Sequence, residues 1–135
     1  MEKYKILEHI GDLKILVLGK TKKDLFKNAL RAMAEILSPK INSNKKIKRI
    51  IKVNSYDLNS LLVDFLNEVL FLTQINKEVY KYSNFLKFNN NEIKAEIKGQ
   101  KVERFNNDIK AVTYHNLKIE RDKNKILKAE ITFDI

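Results

Sequence analysis

The segment DLNSLLVDFLNEVLFL, residues 57–72, constrains the fold more than any other part of the chain. Leu58, Leu61, Leu62, Phe65, Leu66, Val69, Leu70 and Leu72 recur at three- and four-residue spacing, which is helical periodicity. Val63 and Phe71 widen the apolar surface further, beyond what suits a helix with one face in water. This helix is therefore expected at the centre of the core, the reading favoured over one in which it shows part of itself to a partner. Ser55 or Asp57 is placed to cap its start.

The cover has to come from the rest of the chain. KYKIL (3–7) and LKILVLG (13–19) read as two short strands, with EHIGD, Glu8 through Asp12, as their connection. Thr21 is a helix N-cap, and Asp24 sits in the first turn, where the helix dipole favours an anion. That helix is expected from Lys22 to Leu37, its apolar residues again three and four apart, and Ser38-Pro39 stops it. KKIKRIIKVN (45–54) alternates as a strand with Ile47, Ile51 and Val53 on one face. VYKYSNFLKF (79–88) and EIKAEIKG (92–99) flank three asparagines and suit a hairpin, because Asn tolerates left-handed backbone angles. DIKAVTYHNLKIE (108–120) and KILKAEITFDI (125–135) flank RDKN as a second hairpin. The expected fold is a single α+β domain over 1–135, two helices packed on mostly antiparallel β-sheet.

Composition removes several function classes. With no cysteine there are no disulfides, no thiol catalysis and no thiolate metal site. No run of about 18 uncharged apolar residues is present, and the charged N-terminal segment lacks a signal-peptide core, so a cytoplasmic protein without a membrane span is expected. The net charge of +10 admits an RNA partner, since Lys and Arg neutralise phosphates. Yet 23 of the 27 cations are Lys, spread along the chain, with NKKIKR (44–49) the densest cluster. Arg, the better reader of phosphates, occurs four times. A solvated basic surface is the reading favoured over a dedicated groove.

The last strand carries the first chemical hint. Leu127, Ala129, Ile131, Phe133 and Ile135 share one face, so Asp134 should stand away from the core. In the preceding strand Ile109, Ala111, Leu117 and Ile119 mark the apolar face, which leaves Lys110 on the polar one. Paired as a hairpin, Lys110 and Asp134 would share a side of the sheet, near opposite ends of the paired region. Asp134 beside the last residue gathers negative oxygens, a donor type that hard cations such as calcium and magnesium accept. On spacing alone, a solvated Asp is the ordinary alternative.

Taken together, YKILEHIGDLKI, GKTKKDLFKNALRAM, DLNSLLVDFLNEVLFL, IKAVTYHNLKIE and the closing ITFDI resemble the archease family over nearly the whole chain, in the same order. The resemblance implies a non-catalytic helper of the RtcB-type RNA-splicing ligase, promoting its guanylylation and multiple turnover in tRNA splicing and RNA repair. It also implies a calcium site formed by Asp12, Asp134 and an oxygen of Ile135, with another divalent cation as the alternative occupant. Lys110 corresponds to a residue that activates the partner, while GTP and manganese belong to the ligase. Gly11 is then expected to allow a tight backbone approach that points Asp12 at the chain end. Two departures stand out: Ile10 and Gly11 replace a common Thr and Ala, and QKVERFNND (100–108) is short and lacks an acidic, His-containing loop.

His9 and Glu8 are candidate supporting residues for Asp12, and His115 reads as a core or sheet-edge histidine. Asp64 and Glu68, one helical turn apart, form either an acidic patch or the wet edge of a helix. There is no phosphate-binding Gly-rich loop. The competing readings are an RNA-binding accessory protein, with tRNA held by the lysines, and a metal-dependent hydrolase; the family resemblance also implies, as an alternative, a chaperone-like modulator of a tRNA methyltransferase. The hydrolase is disfavoured by a thin ligand set without a general base.

Overall fold

The computed structural model describes residues 2–114 and 117–135, with the backbone alone for residues 8–10. The elements run β1 (Tyr4–Ile10), β2 (Asp12–Gly19), α1 (Lys22–Ile36), β3 (Pro39–Asn54), α2 (Leu58–Asn76), β4 (Glu78–Phe88), β5 (Glu92–Phe105), β6 (Ala111–Thr113), β7 (Ile119–Arg121) and β8 (Leu127–Asp134). Among the described residues every strand pairing is antiparallel. The α+β architecture is as expected, and its strands form two sheets. The first has the order β1-β2-β8-β6, with β7 also on β8, and the second the order β3-β5-β4.

The helices form where capping and periodicity indicated. The Thr21 hydroxyl accepts from the Asp24 N–H at 3.1 Å, and the Asp57 carboxylate from the Ser60 N–H at 2.7 Å. Ser55 donates instead to Asp64, which ties the wet edge of α2 to the preceding strand. Helix α2 continues one turn past Leu72, through the polar Thr73, Gln74 and Asn76, and ends where Lys77 turns left-handed at φ 51°. Its long apolar stretch would suit a membrane by length and hydropathy. Here that surface is core: Leu61, Leu62, Phe65 and Leu66 are fully buried, though Phe71 and Ile75 remain exposed. Helix α1 packs on β2 of the first sheet and on β4 of the second. Phe26 of α1, Phe65 of α2, and Phe85 and Phe88 of β4 join in a ring cluster with centroids 5.0 to 6.4 Å apart.

Several boundaries differ from expectation for physical reasons. EHIGD is mostly strand: β1 reaches Ile10, β2 starts at Asp12, and Gly11 alone connects them. A Cβ on Gly11 would meet nothing within 4 Å, so no close approach requires the glycine; its φ of +76° does. QKVERFNND is strand as far as Phe105, because β3 begins at Pro39 and pairs with it, Pro39 opposite Phe105. Apolar alternation is sparse there, and the pairing runs through register shifts around Ile41. At Gly99 a Cβ would overlap the Val79 carbonyl oxygen, so glycine admits the close passage of β4 at its irregularity between Tyr80 and Tyr82. In the Asn turn it is the Asn89 side chain, accepting from the Asn91 and Glu92 N–H groups at 2.9 Å, that closes the hairpin. No Asn there has positive φ.

Candidate functional site

Strands β2 and β8 pair over eight consecutive rungs, from Asp12 opposite Asp134 to Gly19 opposite Leu127. Leu13 with Phe133, Ile15 with Ile131 and Val17 with Ala129 fill the inward rungs, all buried. A one-residue slip would turn this whole set to water, which pins the register. Alternation then sets Asp12 and Asp134 directly opposite each other on the outward side. Directly opposed residues on one face have Cβ atoms about 4.5–5.5 Å apart, where like charges destabilise the pair.

On the far side of β8, Asp134 faces Ala111, and the Lys110 N–H donates to the Asp134 carbonyl oxygen at 2.7 Å. Lys110 is exposed, and its ammonium makes no ion pair among the described residues. Asp12, Asp134, Ile135 and Lys110 are thus brought together. This corrects the expectation that Lys110 and Asp134 lie near opposite ends of the paired region, since antiparallel pairing sets the start of one strand beside the end of the other. The parity reading also fails in β6. Val112 is the inward residue, opposite Phe133, and Ala111 shares the rung of Asp134. Between the rungs Thr113–Thr132 and Ile119–Ala129 the chain takes six steps on one strand and three on the other. Three extra residues, an odd number, reverse the face, so the single strand 108–120 becomes β6 and β7.

Helix α2 holds this edge. The Asn67 amide donates to the Val112 carbonyl and accepts from the Val112 N–H, both at 2.8 Å, imitating a neighbouring strand. Gln74 donates to the Ile109 carbonyl at 3.0 Å, and Asn59 accepts from the Ile119 N–H at 3.2 Å. These three amides went unremarked in the sequence. Their signal is a near-heptad spacing of polar residues on an otherwise apolar helix, which puts them on one side. The segment before Lys110 is fixed to the end of α1, Asn107 donating from its side chain to the Ile36 carbonyl at 2.8 Å and from its backbone to Leu37 at 3.2 Å.

Beside the aspartates opens a cleft of about 970 Å³, with Gly11, Ile135, Asp108, Tyr4 and Glu35 on its walls. Burial disfavours the Glu35 anion, yet hydrogen bonds from Tyr4 at 2.8 Å and Arg31 at 3.0 Å outweigh it and hold the carboxyl below its usual range. The side chains of Glu8 and His9, and the whole of His115, lie outside the described residues. Among the described residues no three His, Asp or Glu side chains are grouped to hold a metal. The local donor set is two facing carboxylates and the oxygens of Ile135. As chemistry that set fits a hard cation such as calcium or magnesium, which takes oxygen ligands and leaves remaining positions to water.

The archease protein family (MTH1598/TM1083) profile matches residues 4–135. The chain belongs to the archease family. The archease of Methanosarcina mazei is 34% identical over 142 residues, covering 99% of this chain and 97% of that one. The archease of Thermoplasma acidophilum is 29% identical, covering 98% and 93%. The fold is shared with a Thermotoga maritima archease, described as a possible chaperone, at a TM-score of 0.71 and 22% identity, over 97% of this chain and 96% of that one. Protein 1598 of Methanobacterium thermoautotrophicum has the same fold at a TM-score of 0.69 and 22% identity over all of both chains.

Proposed function

We propose that this chain is a non-catalytic activator of an RtcB-type RNA-splicing ligase, and that Asp12, Asp134 and an oxygen of Ile135 hold a calcium ion. The observation that carries the reading is the rung in which two aspartates face one another on the outward side. Such a pair weakens the sheet unless positive charge joins it. A bound cation supplies that charge and clamps the N-terminal turn to the last strand. Asp12 and Asp134 each contribute carboxylate oxygens, and the hydrogen bond from Lys110 to the Asp134 carbonyl links the clamp to an exposed ammonium. Lys110 then offers a positive charge to the phosphates that the ligase handles during guanylylation.

Ligase multiple turnover, assayed with and without this protein, tests the reading. Wild type should convert single-turnover sealing into repeated turnover. Lys110→Ala should remove most of that stimulation while leaving the melting temperature within about 1–2 °C of wild type, because an exposed, unpaired Lys contributes little stability. Asp134→Ala should remove it as well. If both variants stimulate as wild type does, neither residue has the role assigned to it.

A further inference from the structure

We infer that the outward face of the second sheet binds the phosphate backbone of single-stranded nucleic acid, through a lysine groove that the strand register assembles. Ile93, Ala95 and Ile97 of β5 and Ile51 and Val53 of β3 are buried against the core. Alternation therefore sends Lys94, Glu96 and Lys98 of β5, and Lys46, Lys48 and Lys52 of β3, to the other side. Lys48 faces Lys98 across the strands, and Lys98 faces Tyr82 of β4. Four rungs further on, past Ile50 opposite Glu96, Lys52 faces Lys94, which faces Lys87. Like charges directly opposite on one face destabilise a sheet. The reading of these lysines as a solvated basic surface gives no reason for them to face one another in register.

A groove of about 520 Å³ lies on this face, lined by Lys46, Lys48, Lys81, Lys98, Tyr82 and Gln100 among others, with no carboxylate in its walls. Glu96 and Glu92 are the acids alongside, and each is already engaged, with Lys98 at 3.5 Å and Lys87 at 3.1 Å. Tyr82 is 58% exposed although aromatic. The Arg31 guanidinium stands 5.1 Å from its ring centroid, a further cation on the same ring. From the Lys46 rung to the Lys52 rung the face runs about 20 Å, six residues at roughly 3.3 Å each. A basic track with an exposed aromatic is the combination that holds single strands: charge follows the backbone and the ring stacks a base. The lysines come from three strands, β3, β4 and β5, which is why no cluster longer than NKKIKR announces the groove.

The test is fluorescence anisotropy with a labelled oligouridylate across a salt series, for wild type, Lys48→Gln/Lys98→Gln, Tyr82→Ala, and a control of equal charge, Lys3→Gln/Lys123→Gln. Thermal melts verify that each variant is folded. Wild type should bind at low salt, and the groove variant should flatten the log–log salt slope by about 1.4, two contacts at roughly 0.7 each. Tyr82→Ala should weaken binding on the order of tenfold through lost stacking. The control should keep the wild-type slope. No binding by wild type at low salt, or equal losses in groove and control variants, overturns the proposal. So does oligoglutamate competing as well as unlabelled oligouridylate, an outcome that assigns the face to an acidic protein.

Discussion

Arg49→Met should lower the unfolding free energy by about 3 kcal/mol at neutral pH, because it strands a buried carboxylate. Glu78 is 1% exposed and accepts from Arg49 through two bonds, Nε at 2.7 Å and Nη2 at 3.2 Å. Lys101 lies 3.2 Å from its other side, and the Tyr80 hydroxyl donates to it as well. Burial disfavours the Glu78 anion, but the hydrogen bonds from Arg49, Tyr80 and Lys101 overcome this and bring its carboxyl down to about 2 from an ordinary 4.5. Burial, and then the bond to Glu78, push the Tyr80 phenol up to about 12. A depressed acid stabilises the fold above its unfolded value and loses that contribution as the pH falls. Here the contribution is complete above pH 4.5 and disappears toward pH 2, a span of 2.5 units or on the order of 3 kcal/mol. The loss in Arg49→Met should therefore shrink when urea unfolding is repeated at pH 3, where Glu78 in the variant is protonated. Glu78→Gln should be milder, since its partners Arg49 and Lys101 are 37% and 49% exposed and regain water. A deficit of equal size at both pH values would mean that Arg49 acts through packing rather than charge.

Asn67→Ala should destabilise by about 2–4 kcal/mol, since it leaves the N–H and C=O of the buried Val112 without partners at once, each worth roughly 1–3 kcal/mol. The effect should be local as well as global. Val112 is two residues from Lys110, whose own N–H bonds to Asp134, so both amides should lose hydrogen-exchange protection beyond the overall drop. The ligase stimulation proposed for this chain should fall too, without any change to Asp12, Asp134 or Lys110. If the Val112 amide stays as protected as the core of β8, α2 does not hold this edge.

The parts of the fold that could be read from sequence are those where one residue type dictates geometry locally. Thr21 and Asp57 cap helices whatever surrounds them, and the apolar surface of Leu61, Leu62, Phe65 and Leu66 demands burial. The facing of Asp12 and Asp134 was approachable only through the resemblance, because register is a property of two strands together. Ala111 was misjudged as inward because the chain takes an odd number of extra residues between β6 and β7, a detail no alternation pattern within one strand reveals. The strand Gln100–Phe105 was missed because its apolar content is slight, and its partner, the first part of β3, is equally polar. The amides Asn59, Asn67 and Gln74 were invisible as a group, since polar residues on a core helix reveal a purpose only once the strand they grip is in place.

The decisive measurement is the melting temperature as a function of calcium, for wild type and for Asp12→Asn and Asp134→Asn. A ligand bound only by the folded chain at a hundredfold its dissociation constant adds about 2.7 kcal/mol, so wild type should rise on the order of 10 °C. Each Asn variant should melt at or slightly above calcium-free wild type, relieved of the facing charge, and should respond little to the ion. A wild type indifferent to calcium, or Asn variants that climb as it does, would contradict a shared ion between the two aspartates.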